Sequence, residues 1–580
     1  MNTFRVWAPN ASKIEVETGG RRYEMKETSR GWREAVVSTA KAGDDYWFVI
    51  DDGEPIPDPR SPSQPAGIGG PSRLVDHSSF RWAHDDWRAK NLQEAVIYEL
   101  HVGTFSEQGT FEGVIEHLDH LVGLGITHIE LMPVNEFSGS HGWGYDSVDI
   151  FAPHHAYGGP EGLKRLIDSC HGRGLAVMAD VVYNHFGPAG NYLERFGPYF
   201  THRYTTPWGI AINLDGAGSD EVRGYFCDHA AMLLRDYRFD GLRLDAVHEI
   251  FDRSATHFLE QLAETVRDLE RELRRPLVVI AESDLNNPRV IQDKESGGYG
   301  IDAQWNDDFH HSLHTVLTGD RSGYLKDFGT IEDLAKAIRQ AWVFDGKYSP
   351  FRDRRFGRKP SGLSAHKFIG YLQNHDQAGN RAKGERSSHL MDCDRLKIGA
   401  ALVLTAPFVP MLFQGEEWGA MAPFLYFTDH SDPELGMKVR EGRRSDFVAF
   451  GWKSEEVPDP QDRATFLSSR LDWNEISQAP HRELLEWHRA LIKLRQEVPA
   501  LRDDRLDRTR VRFDEAARWI AIDRGPVSVL CNFADEERVI PSRSGAVALS
   551  SMKVREPASS ARSSSDGFRL PPVSVVILKS

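Results

Sequence analysis

The sequence predicts an α/β chain in which a (β/α)8 barrel of the TIM type is flanked by an N-terminal β-sandwich and a C-terminal antiparallel β-domain. Three observations predict it. Eight short apolar runs, at residues 96–100, 128–132, 176–181, 241–245, 277–282, 301–305, 368–373 and 410–414, alternate with amphipathic helical segments, the rhythm of a parallel sheet with crossover helices. Eight such units are what closes a barrel. Before and after this zone, apolar and polar residues alternate in short runs separated by turn residues, the pattern of half-buried strands.

Residues 1–88 carry the runs Phe4-Arg5-Val6-Trp7 and Tyr46-Trp47-Phe48-Val49-Ile50 and read as the sandwich. Within them, residues 51–71 are rich in Pro, Gly and Asp and read as irregular surface chain leading out of that unit. The barrel is expected over 89–498. Its second helix is delayed by a long loop, and residues 184–237, after the third strand, form a longer insertion holding FGPYF, TPWG and INLDG ahead of a helix. Loops of this length in a compact domain are usually functional. A second loop-rich passage runs from GEEWGAMAPFLYFTDH to PDPQDRATFLSSRLDW, before a helix over 482–496. Residues 499–580 return to alternation, as in Trp519-Ile520-Ala521-Ile522, and the Ser-rich run 559–565 reads as a mobile loop.

A chain of 580 residues with 40% hydrophobic and 27% charged residues is globular and multi-domain. Its net charge of -16 argues against nucleic acid or an anionic membrane as partner and favours a neutral ligand. Cys170, Cys227, Cys393 and Cys531 lie far apart without a CxxC pair, which argues against a disulfide framework or structural zinc. MNTFRVWAPN lacks a basic segment followed by an apolar run, and no apolar stretch reaches spanning length. The expected location is cytoplasmic.

In such barrels chemistry gathers at the C-terminal ends of the strands, and four strands end in polar residues. FDGLRLDAVH, ending the fourth, places Arg243 and Asp245 on one face, where the cation holds the carboxylate ionised. MADVVYNH supplies Asp180, Asn184 and His185, VVIAESD supplies Glu282, and YLQNHDQ supplies His375 and Asp376. Acids beside histidines can bind a hard cation or cleave a glycoside. Asp180 with Asn184 suits oxygen ligation, but the arginine would compete with a metal ion. Two carboxylates with unequal pKa values are the equipment of a glycosidase. Asp245, beside arginine, fits the nucleophile, and Glu282, after the apolar Val278-Val279-Ile280-Ala281, fits the general acid.

DVVYNH, GLRLDAVH, AES and QNHD resemble the four sequence regions of the α-amylase family of retaining glycoside hydrolases, in order and at matching barrel positions. The resemblance implies that Asp245 is the nucleophile, Glu282 the acid/base and Asp376 a third acid that holds sugar hydroxyls. It further implies that Arg243, His185 and His375 bind the same sugar, that Tyr145 in HGWGYD stacks on it, and that Asp180 and Asn184 support the site. ELMPVNEFSGSHGWGYD, APHHAYGGPEGLKRL and YNHFGPAGNYL, with the loop passages above, resemble the maltooligosyltrehalose trehalohydrolase branch. That branch implies a maltooligosyltrehalose or related α-glucan substrate and a separate enzyme that makes it. The calcium site of many α-amylases cannot be traced in residues 184–237, so no required metal is expected, and no cofactor.

Trp143, Tyr199, Phe200 and Trp208 are then either sugar platforms or loop packing. His248 stands where many α-amylases have lysine, a position facing leaving-group sugars. Glycogen branching or another transglycosylation is the alternative, because water and a sugar hydroxyl attack the same intermediate. A dead barrel kept for binding would lack one of the three acids, and all three are present.

Overall fold

The computed structural model describes residues 2–448, 453–552 and 567–580. Eight parallel strands close into a barrel in chain order: β1 (Ile97–Leu100), β2 (His128–Leu131), β3 (Ala176–Val181), β4 (Gly241–Leu244), β5 (Val278–Ala281), β6 (Ala303–Trp305), β7 (Phe368–Gly370) and β8 (Val409–Phe413), which pairs back to β1. Each predicted apolar run coincides with one of them: β3 spans its run fully, β8 lies one residue earlier than its run, and the other six are shortened at one or both ends.

Register explains what fills the barrel. Asp180 on β3 pairs with Arg243 on β4, and Arg243 with Ile280 on β5. Side chains alternate along a strand, so Met178 and Asp180, Gly241 and Arg243, and Ile280 and Glu282 face the axis together. Ile97, Met178, Ile280, Ala303, Trp305, Ile369, Tyr371, Val409 and Met411 form a single apolar cluster there. The charged residues sit one or two steps further along the same faces, at the C-terminal mouth. The barrel therefore has an apolar floor and an ionic rim.

The N-terminal region packs two antiparallel sheets. Asn2–Trp7, Trp32–Val37 and Lys26–Glu27 make one, and Arg21–Glu24, Ile14–Thr18, Asp45–Ile50 and Ser72–Arg73 the other. Phe4, Val6, Val16 and Phe48 are buried between them. At the C-terminus a five-stranded antiparallel sheet runs Thr509–Asp514, Trp519–Arg524, Val527–Asn532, Ser574–Lys579, Ala546–Ser550. The serine-rich run 559–565 lies outside the described residues. All four cysteines are free thiols, three of them buried. Among the described residues no helix is long and apolar enough to cross a membrane.

Two expectations need correction. Residues 51–71 are irregular but not superficial: Asp58, Ser61 and Gln64 are buried. Their polar groups are satisfied by side chains instead of a ladder. Tyr46 donates to Asp58 at 2.8 Å and Gln64 donates to Asp149 at 3.2 Å. The passage after β8 is also not all loop, since Pro433–Val448 is helical. Its start follows ordinary helix chemistry, with Asp432 Oδ1 accepting the Glu434 N–H at 2.9 Å and proline in the first turn. Gly436 and Gly442 with few apolar residues hide its period. The helix read over 482–496 is His481–Glu497.

The insertion after β3 holds a short helix (Leu193–Phe196), a hairpin (Phe200–Thr206 with Gly209–Ile212) and the helix Ser219–Arg235. The hairpin stands over the barrel mouth beside His185.

Candidate active site

Arg243 is the centre of the rim and is wholly buried. One terminal nitrogen, Nη1, donates to Asp180 Oδ1 and Oδ2 at 2.9 and 2.8 Å and to Asp245 Oδ1 at 2.8 Å. The other, Nη2, donates to Glu282 Oε2 at 3.0 Å. Below it, the Trp305 ring lies 4.1 Å from the guanidinium carbon, a cation–π contact that strengthens in a desolvated setting. One cation thus fixes three carboxyl groups from three strands. A planar, permanently charged fork is suited to this and a lysine is not.

The two carboxyls at the opening are differentiated by their surroundings. Burial works against ionisation of Asp245, but the Arg243 charge and the Asn184 amide outweigh it and hold its pKa below the usual carboxylate value. Asn184 Nδ2 donates to both the Asp245 carbonyl and Oδ2, each at 2.8 Å. Glu282 is pushed well above the usual value, chiefly by burial and then by the negative charges of Asp245 and Asp376, against the pull of Arg243. Asp180, beneath them, is raised to about 6 by burial. The pair therefore holds one charged and one protonated carboxyl across a broad middle range of pH.

Backbone geometry completes this. Ala246, directly after Asp245, adopts a left-handed conformation with φ 38°. That turn aims its N–H at Glu282 Oε2, 2.8 Å away. Non-glycine residues bear such strain mainly where the surrounding structure requires it.

Tyr145 donates to Asp180 Oδ2 at 2.6 Å and stacks on His375, with ring centroids 5.1 Å apart. It is carried by a loop that turns at Gly144, whose φ is 97° and where a Cβ would lie 2.3 Å from the Pro133 carbonyl oxygen. Asp376 is a third exposed, with His375 Nε2 at 3.4 Å from Oδ2 and Asn380 donating to Oδ1 at 3.1 Å. His185 stacks face to face on Trp208 at 4.4 Å. Burial lowers its pKa. His248 is half-buried at the edge of the group and accepts the Asp284 N–H at 3.4 Å.

Asp180, Asn184, Arg243, Asp245, Glu282, Tyr145, His375 and Asp376 thus form one connected set, with His185 and His248 flanking it. Sequence reasoning missed Glu99, which binds the His375 main chain and ring, and Trp305 under the arginine. Both stand at strand ends, in IYEL and AQW, and the position alone marked them. Of the four loop aromatics, Trp143 and Tyr199 are buried in loop cores, Phe200 is partly buried, and Trp208 is 49% exposed.

Asp180 and Asn184 do not form a metal site, because their polar atoms already serve Arg243, Tyr145 and Asp245. Among the described residues, one group could in principle hold a metal: Glu136, His154 and His155. There His154 Nδ1 accepts the Ala156 N–H, which leaves the ring proton on Nε2, the nitrogen that faces Glu136. A protonated nitrogen is no ligand.

Comparison with known proteins gives the family and the fold. The α-amylase catalytic-domain model matches residues 78–204, and a domain of unknown function (DUF3459) matches 504–577. A malto-oligosyltrehalose trehalohydrolase from Rhizobium sp. (strain M-11) is 48% identical over 541 residues, covering 92% of this chain and 91% of that protein. Another from Arthrobacter ramosus is 47% identical, covering 94% and 95%. A solved structure of a putative α-amylase from Salmonella typhimurium superposes with a TM-score of 0.91 at 36% identity, covering 99% of this chain and 97% of that one. The chain belongs to the malto-oligosyltrehalose trehalohydrolase family, glycosidases built on an α-amylase barrel.

Proposed function

We propose that this enzyme hydrolyses the α-1,4 bond next to the terminal trehalose of maltooligosyltrehalose, with retention, and releases trehalose. The observation that carries the reading is the pair Asp245 and Glu282, held by one guanidinium and driven to opposite protonation states. Retaining glycosidases need that division of roles.

Glu282 gives its proton to the glycosidic oxygen as the Asp245 carboxylate attacks the anomeric carbon. The C–O bond breaks and trehalose leaves. Water then attacks the glycosyl–Asp245 ester, Glu282 takes back a proton, and the maltooligosaccharide departs. Arg243 and Asn184 keep Asp245 charged and aimed. Asp376, His375, His185 and Tyr145 bind the sugar that is attacked, Asp180 fixes Arg243 and Tyr145, and His248 meets the leaving trehalose. No metal enters these steps.

The barrel, residues 89–498, does this work, and the β-regions 1–88 and 499–580 wall it. The substrate requires a second enzyme that converts the reducing end of a maltooligosaccharide to trehalose, acting in the same cytoplasm. Incubation with maltooligosyltrehalose and separately with amylose tests the reading. Trehalose release supports it, and new α-1,6 branches without trehalose would replace it with transglycosylation.

A further inference from the structure

Glu99 and Glu130 are direct register partners on β1 and β2, both wholly buried and both on the face that looks into the barrel. Two carboxyl groups so placed cannot both ionise without large mutual repulsion. Their surroundings differ. Glu99 accepts the His375 main-chain N–H at 3.0 Å through Oε2 and meets His375 Nδ1 at 2.5 Å through Oε1. Neither oxygen of Glu130 meets a hydrogen-bond donor among the described residues. A buried charge without a donor is costly, so the proton between these two belongs on Glu130.

His375 is the other half of the arrangement. With Nδ1–H given to Glu99, its Nε2 faces Asp376 Oδ2 and the mouth of the barrel. Resting on the function proposed above, we propose that Glu99 is a positioning residue that holds His375 as an imidazolium aimed at the bound sugar, while uncharged Glu130 lets Glu99 carry the negative charge. A charged N–H donor binds a sugar hydroxyl more strongly and more directionally than a neutral ring.

Of the charged groups facing His375, two acids favour the imidazolium and one arginine opposes it. Burial opposes the imidazolium, and Arg243 opposes it too, but Asp376 and Glu99 outweigh both and raise His375 to about 9. Burial pushes Glu130 well up, followed by the Glu99 charge. Tyr145, stacked on the ring, is pushed well above its ordinary value chiefly by burial and stays neutral. His101 is lowered to about 3, first by burial and also by the His375 charge, and Asp180 lies beyond Arg243. Glu99 is thus the partner whose removal changes His375 most without touching the opening of the site.

The test is a titration of the His375 ring nitrogens by 15N NMR on the full chain, with the signal identified by its loss in His375→Asn. In the unsubstituted enzyme His375 should stay protonated at pH 8, and Glu130→Gln should leave this unchanged because it replaces one neutral group by another. Glu99→Gln should make His375 neutral at pH 8, while Glu99→Asp keeps it protonated. The Glu99→Gln deficit in kcat on maltooligosyltrehalose should widen at least tenfold between pH 6 and pH 8.5, where a merely structural defect would give a constant ratio. Should Glu99→Gln not fold, the unsubstituted enzyme and Glu130→Gln still decide. A neutral His375 at pH 8 in the unsubstituted enzyme, or a fall in its pKa in Glu130→Gln, overturns the proposal. The titration does not depend on turnover, so an enzyme lacking trehalose release with a protonated His375 would refute the function and leave the pairing intact.

Discussion

Asp245 and Glu282 directly follow neighbouring strands and share one cation, with Arg243 Nη1 at 2.8 Å from the first and Nη2 at 3.0 Å from the second. They are nevertheless driven apart in acidity. Asp245 also has the Asn184 amide and stays charged, whereas Glu282 faces two negative neighbours in a buried setting.

Removing either carboxylate should remove a different half of the reaction. Asp245→Asn should lower kcat by on the order of 10⁴-fold or more with every substrate, since no covalent intermediate forms. Glu282→Gln should lose about 10²–10⁴-fold on the natural substrate. It should still form the intermediate quickly from a glycoside whose leaving group needs no proton, seen as a burst of that group.

Arg243 should be irreplaceable by lysine. Arg243→Lys cannot reach three carboxyl groups from two sides, and activity should fall below about one per cent. Arg243→Met leaves Asp180, Asp245 and Glu282 facing one another without a cation. Breaking a buried pair in this way costs about 3–5 kcal/mol, measurable by urea unfolding.

The pH profile of kcat/KM should be bell-shaped. The active form has Asp245 ionised and Glu282 protonated. Asp245 is held below the usual carboxylate value, so activity falls only as strongly acid pH protonates it. Glu282 is well above the usual value, so activity is lost at the alkaline end as it ionises. In Glu282→Gln, measured with the activated substrate, the part of the alkaline limb due to Glu282 should disappear while the acid limb stays.

Trp208, exposed and stacked on His185, should act on binding. Trp208→Ala should raise KM for maltooligosyltrehalose by about tenfold and change kcat by less than about threefold. An equal fall in kcat would place its effect in the transition state instead.

Much of this site was legible because strand alternation and the strand-end rule are local. GLRLDAVH alone places Arg243 and Asp245 on one face, and VVIAES alone makes Glu282 the end of an apolar run. What a single strand cannot show is which neighbour lies beside it. Glu99 and Glu130 look like any two strand acids until barrel closure sets β1 against β2 and brings His375 over them. Trp143 and Trp208 look alike in sequence too. Only the packing of their loops buries one against Phe424, with ring centroids 5.3 Å apart, and leaves the other open. The helix Pro433–Val448 was missed because its period is polar and interrupted by glycine, while its start signals were present.

The most direct test of the account is the anomeric form of the first-formed maltooligosaccharide, followed by proton NMR as fresh enzyme acts on maltooligosyltrehalose. Attack by Asp245 followed by water inverts twice, so the α-anomer should appear first, together with trehalose, and relax slowly to the equilibrium mixture. First appearance of the β-anomer would mean that water attacks directly and that Asp245 is not the nucleophile.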